Sequence, residues 1–134
     1  MIHNNYLKDR LHQNLVGTHI SMTDSIVSEM EGRLGYDFIW IDTEHSEISY
    51  TNLRNHITAV NAGGTPAIVR VSMNDYNHVK RVMEMGPDGI IFPMINTAEQ
   101  AQAAAAIFAE VCPEVEVNVI NGGQPVYYYL ISAE

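Results

Sequence analysis

Short apolar runs and helical stripes alternate four times along this chain, and that alternation limits the folds open to it. Residues 15–20, 37–42, 66–71 and 89–93 read as strands. Runs such as Ile39-Trp40-Ile41 and Ala67-Ile68-Val69 are continuously apolar, as strands of a parallel sheet covered on both faces are. Between them Met22, Ile26, Met30 and Leu34 recur at helical spacing, with Ser21 and Asp24 placed like a capping box and Gly35 as the stop. Tyr50, Leu53, Ile57 and Val60 mark a second helix ending at Gly63-Gly64. Val79, Val82 and Met85 mark a third, begun near Asn74-Asp75 and stopped by Gly86-Pro87. Thr97 and Gln100 open an alanine-rich fourth that runs to about Phe108, and residues 5–14 read as a short leading helix. Met22, Met30, Met83 and Met85 are assigned to core packing, and His56 to the surface. Four strand–helix units with short loops predict an α/β fold: a parallel sheet in sequential strand order, with right-handed crossovers and helices on one face.

The grammar changes near residue 110. Residues 115–120 alternate like a strand with one polar face, Asn121-Gly122-Gly123-Gln124 is turn material, and residues 126–131 form another β-prone run. Residues 1–110 are therefore read as one unit of repeated βα character, and 111–134 as an atypical C-terminal tail.

Charge and cysteine content narrow the function classes. Sixteen acidic against seven basic residues give a formal charge of −9. Such a field disfavours nucleic acid and anionic membranes as partners. The lone Cys112 fits a reducing cytoplasm. No window approaches the roughly 18 apolar residues of a membrane span, and the first ten residues hold no signal-peptide core. No glycine-rich phosphate-binding pattern follows any strand, which disfavours a nucleotide-binding domain.

The chemistry concentrates where strands end. Phe38-Ile39-Trp40-Ile41 runs into Asp42-Thr43-Glu44-His45, and Ile68-Val69 into Arg70. The carboxyl ends of parallel strands are where α/β folds place their ligands. Taken alone, each residue has a plainer reading. A strand-ending Asp42 is commonly a cap or turn residue, and Arg70 reads as an inter-strand partner of Asp42 or Glu44. Glu44 and Glu47 read as loop solvation.

In order and spacing, several segments resemble the N-terminal half of the HpcH/HpaI aldolase/citrate lyase family. They are Gly17, Tyr36-Asp37-Phe38, Asp42-Thr43-Glu44-His45, Ile68-Val69-Arg70-Val71, Asn74-Asp75, Val79-Lys80 and Gly89-Ile90-Ile91-Phe92-Pro93-Met94, with Ala98-Glu99-Gln100-Ala101 after them. The match runs from Asn14 to Ala106. It implies a partial TIM (β/α)8 barrel, since members are whole barrels of about 250 residues. It also implies a carbon–carbon lyase, reversibly cleaving a 4-hydroxy-2-oxo acid to pyruvate and an aldehyde, like the 2,4-dihydroxyhept-2-ene-1,7-dioate aldolases. By resemblance His45 is the catalytic base, Asp42 orients it, and Arg70 binds the 2-oxo acid and stabilises its enolate. His19, on the first strand, is placed to point into the barrel end. The absence of a strand-end lysine disfavours a Schiff-base aldolase.

The resemblance further implies a divalent metal (Mg, Mn or Co) acting as Lewis acid. The family's carboxylate ligands for it lie beyond the matching region, so no metal ligand is assigned in this chain. A truncated or frame-shifted origin is expected. Activity is expected to be impaired, the alternative being a non-catalytic half-barrel that binds 2-oxo acids weakly or only self-associates. Open strand edges make a homo-oligomer the expected state, with the tail available to pair with one edge.

Overall fold

The computed structural model of the chain describes residues 7–113, 120–121 and 129–132. Four parallel strands lie in sequential order: β1 (Gly17–Ile20), β2 (Phe38–Asp42), β3 (Ala67–Arg70) and β4 (Gly89–Phe92). Helices α1 (Ile26–Glu31), α2 (Tyr50–Gly63), α3 (Tyr76–Met83) and α4 (Ala98–Val111) follow them in turn. The sequence-predicted α/β partial barrel with four βα units is the fold observed. Two further strands, β5 (Ile120–Asn121) and β6 (Tyr129–Ser132), join the same sheet, with β6 antiparallel to β4 and β5 antiparallel to β6. The expected tail pairing thus occurs at the β4 edge. The remainder of the β-prone runs at 115–120 and 126–131 lies outside the described residues.

Capping chemistry explains three of the four helices. Ser49, Asp75 and Thr97 stand at N-caps in extended conformation, and each side chain accepts a backbone N–H three residues on. Gln100 completes a capping box by accepting from the Thr97 N–H at 3.1 Å. α2 stops at Gly64, whose φ of 96° is left-handed.

α1 departs from expectation. It begins at Ile26 with Ser25 at its N-cap and no side-chain cap bond. Asp24 accepts the Ile26 N–H at 3.0 Å, a local Asx turn that competes with the expected Ser21–Asp24 capping box. The leading segment is likewise shorter than predicted: within the described residues it is a 3-10 turn at Lys8–Arg10.

One core unites the sheet and its helices. Ile20, Ile39, Ile41, Val69, Ile90 and Phe92 point from the strands into the same apolar cluster as Leu53, Ile57, Val60, Val79, Val82 and Phe108 from the helices. The alternate strand positions face the other way. There His19 lies beside Trp40, Trp40 beside Ile68, and Asp42 beside Arg70. Two acids fix where strands begin. Asp37, just before β2, accepts the Val16 N–H at 2.8 Å, and Asp88, just before β4, accepts the Ala67 N–H at 2.9 Å.

One surface assignment and two core assignments reverse. His56 is fully buried, its Nδ1 2.5 Å from the Ser28 hydroxyl, which joins α2 to α1. Burial holds its imidazole below the ordinary value, with the Thr23 and Met22 carbonyls and Asp24 opposing. Met22 and Met30, assigned to the core, are instead exposed. With Ile26 and Leu34 they form a stripe 57–68% exposed. The helical period is real, but α1 turns a different face to α2.

That α1–α2 contact is close enough to exclude side chains. A Cβ on Gly63 would lie 2.5 Å from the Gly32 carbonyl carbon and 2.7 Å from its Cα. Thr65 Oγ1 donates to the Gly32 carbonyl at 2.7 Å and locks the approach. Gly63→Ala should therefore force the helices apart despite alanine's better helix propensity. Overpacking of this kind costs about 1–3 kcal/mol. Urea denaturation should show a lower midpoint at unchanged slope.

Candidate active site

Register places the site. Asp42 ends β2 directly opposite Arg70, which ends β3. Arg70 Nε donates to Asp42 Oδ1 at 3.0 Å while Nη2 donates to Oδ2, a bidentate pair. Both residues are buried, Asp42 3% and Arg70 5% exposed. The guanidinium carbon lies 4.6 Å from the centroid of the Trp40 ring, two residues back on the same face of β2. His19 packs on the other side, its ring 5.5 Å from that of Trp40.

The loop after β2 is tied down bond by bond. Asp42 Oδ1 also accepts the backbone N–H groups of Glu44 at 2.9 Å and His45 at 3.2 Å. Thr43 donates its hydroxyl to the Arg70 carbonyl at 2.6 Å and its N–H at 3.1 Å. Ser46 donates to the Asp42 carbonyl and accepts the Ile48 N–H at 3.2 Å. Across the rim, Asn74 Nδ2 donates to the Pro93 carbonyl at 2.8 Å, joining the loops after β3 and β4. Next to it Met94 adopts a left-handed φ of 56°, a conformation uncommon outside glycine and asparagine.

His45 is placed differently from expectation. Its backbone, not its ring, contacts Asp42. The ring is 71% exposed, with Nε2 3.6 Å from Glu44 Oε2. The same Glu44 oxygen lies 3.1 Å from Arg70 Nη1. Glu44, assigned to loop solvation, is thus the largely buried carboxylate standing between guanidinium and imidazole. The signal was present: Asp42 and Glu44 are two apart, so an extended strand end continued by two residues presents both to the same neighbour. Nothing in the residue types singled out Trp40 as a platform.

Burial pushes the Asp42 carboxyl up. The Arg70 hydrogen bonds and charge, with the His45 and Glu44 N–H groups, outweigh it and hold the group below the usual carboxylate value. The divalent metal implied by the resemblance finds no ligand set here. Among the described residues no three His, Cys, Asp or Glu side chains cluster to hold an ion. Both strand-end carboxylates are also turned to Arg70.

A conserved-family profile for the HpcH/HpaI aldolases/citrate lyases matches residues 16–122, and the chain belongs to that family. The match includes residues 111–122, which the motifs in the sequence leave out. The chain is 32% identical over 90 residues to a hydroxypyruvate/pyruvate aldolase of Roseobacter denitrificans, covering 67% of this chain and 35% of that protein. It is 32% identical over 91 residues to a 2-dehydro-3,6-dideoxy-6-sulfogluconate aldolase of Pseudomonas putida, covering 68% and 36%. Among solved structures, a family member from Burkholderia cenocepacia superposes with a TM-score of 0.71 at 30% identity, over 77% of this chain and 42% of that one. The chain spans little more than a third of the length of the two curated relatives.

The depressed Asp42 group sets an acid limit on stability. A carboxyl held lower in the folded state than in the unfolded chain contributes stability above its unfolded value, about 3.9, and loses it as pH falls below. Asp42→Asn should remove that part of the acid dependence. At neutral pH it should destabilise by roughly 3 kcal/mol, because Arg70 stays buried with its bidentate partner lost. Thermal unfolding of both proteins from pH 7 to pH 3 reads both effects.

Proposed function

We propose that this segment carries the enolate-binding and proton-handling part of a carbon–carbon lyase site, for reversible aldol cleavage of a 4-hydroxy-2-oxo acid to pyruvate and an aldehyde. The observation that supports it most is Arg70, a buried guanidinium fixed by Asp42 and stacked on Trp40 at a strand end. A cation held this rigidly needs no reorganisation when negative charge develops on a bound 2-oxo acid. Arg70 would hold the carboxylate and the enolate oxygen of pyruvate. His45, at the exposed rim, would take the hydroxyl proton as the carbon–carbon bond breaks to aldehyde and enolate. The enolate then takes up a proton at its terminal carbon to become pyruvate, and in the reverse direction His45 returns its proton to the new alkoxide. Asp42 acts on both, through the guanidinium and through the His45 backbone. The aldolase names of the relatives point to the same bond type.

A second reading, a non-catalytic half-barrel that binds 2-oxo acids, draws on the missing ligand set among the described residues. Pyruvate release from a 4-hydroxy-2-oxo acid separates the two. Under the lyase reading the chain releases pyruvate slowly. Arg70→Lys, which loses the planar fork, should cut the rate a hundred- to thousandfold, on the order seen when a preorganised oxyanion donor is removed. Pyruvate binding without release would leave the second reading.

We further propose that copies of the chain self-associate. β1 lies at the end of the sheet among the described residues, and beside it α1 and the segments flanking it expose Met22, Ile26, Met30 and Leu34. Light scattering should find an oligomer that Met30→Lys with Leu34→Lys shifts toward monomer. A monomer in the unaltered chain would end this reading.

A further inference from the structure

Arg70 is held by two carboxylates in unequal ways. Asp42 meets it bidentately and is itself fixed by two backbone N–H groups. Glu44 meets it through one oxygen, Oε2, at 3.1 Å from Nη1. That oxygen is buried, yet it makes no hydrogen bond of acceptable geometry. The contact is therefore Coulombic and misaligned, and a buried carboxylate oxygen without a hydrogen bond is destabilised relative to one that has it. Among the described residues His45 also neighbours Glu44, its Nε2 3.6 Å away at the solvent-exposed rim.

We infer that Glu44 is a displaceable counterion: it sits against Nη1 of Arg70 and gives that position up to the carboxylate of an incoming 2-oxo acid. The inference rests on the lyase reading for its ligand class and adds a residue that reading does not use. Asp42, Glu44 and Arg70 together carry a net charge of −1, in a chain of net charge −9. An anion approaching that cluster is repelled as long as Glu44 stays. Exchange replaces a misaligned oxygen by one free to align with the guanidinium, and lets the Glu44 carboxylate turn toward the solvent-exposed rim beside His45. Asp42 cannot take this part, because leaving would break its bonds to Arg70 and to two backbone groups at once. Glu44 is thus a positioning residue. It keeps the buried guanidinium paired between turnovers and selects ligands whose carboxylate can outcompete its own.

Pyruvate titrated calorimetrically into the full chain, with Glu44→Gln and Glu44→Ala alongside, tests this directly. Removing the competing charge should tighten pyruvate binding by about fivefold or more in both variants, the size of roughly 1 kcal/mol of relieved like-charge repulsion. Adding Arg70→Lys to Glu44→Gln should abolish the gain. A purely structural Glu44 would weaken binding and lower the melting temperature together. Unchanged or weaker pyruvate affinity in both folded variants overturns the inference, and so does a gain that survives Arg70→Lys. Pyruvate release reports separately on the lyase reading, so tighter binding without turnover would keep this inference while removing that one.

Discussion

The buried pair between Asp42 and Arg70 is the constraint on which the rest of the site depends. An arginine 5% exposed at the end of a strand is tolerable only when its charge is answered and its donors are engaged. The parallel register that sets Asp42 beside Arg70 supplies that answer, and a slip of either strand by one residue would turn its own member of the pair into the apolar helix-facing layer and strand the other. Asp42 then does a second task with the same oxygen. By accepting the Glu44 and His45 N–H groups it turns the chain sharply out of β2, which delivers Glu44 and His45 to the rim. One carboxylate couples strand register, loop geometry and the orientation of the guanidinium.

The fold was legible because its signals are local and repeated. Continuous apolar runs, caps at Ser49, Asp75 and Thr97, and glycine stops at Gly64 and Gly86 each act within a few residues, and the sheet order follows from short connections. What periodicity could not reveal is the neighbour. Met22, Ile26, Met30 and Leu34 announce an apolar face correctly, but whether that face meets α2 or solvent depends on what else is present. The face α1 does turn inward is marked by Ser28 and by backbone contact through Gly32, features that hydrophobic spacing does not weigh. His56 was misplaced for the opposite reason. It lies three residues after Leu53 and four before Val60, on the buried stripe, where the Ser28 hydroxyl answers its Nδ1, and residue polarity alone does not reveal that partner.

The site was legible in its members and less so in its wiring. Asp42, His45 and Arg70 stand out as ionisable residues at strand ends while Glu44 reads as loop solvation, and the resemblance assigns the orienting carboxylate of His45 to Asp42. Backbone geometry decides otherwise. Asp42 spends its acceptor capacity on N–H groups and the guanidinium, so the residue left near the imidazole is Glu44. Trp40 enters by the same route: alternation puts it one step below Asp42, where a flat ring can carry the guanidinium that Asp42 holds by its edge.

The division of labour between the two acids follows from their solvation. Asp42 is surrounded by donors, so burial raises its charged form's energy less than those donors lower it, and it stays ionised. Glu44 Oε2 is buried beside the same cation without a hydrogen bond. Two carboxylates on one guanidinium therefore differ in what departure costs them, and the cost is set by neighbours rather than by residue type. A barrel-type strand end built this way can keep a buried arginine paired and still release one edge of it to a ligand. The permanent partner is bound to the backbone, and the exchangeable one is bound only by charge.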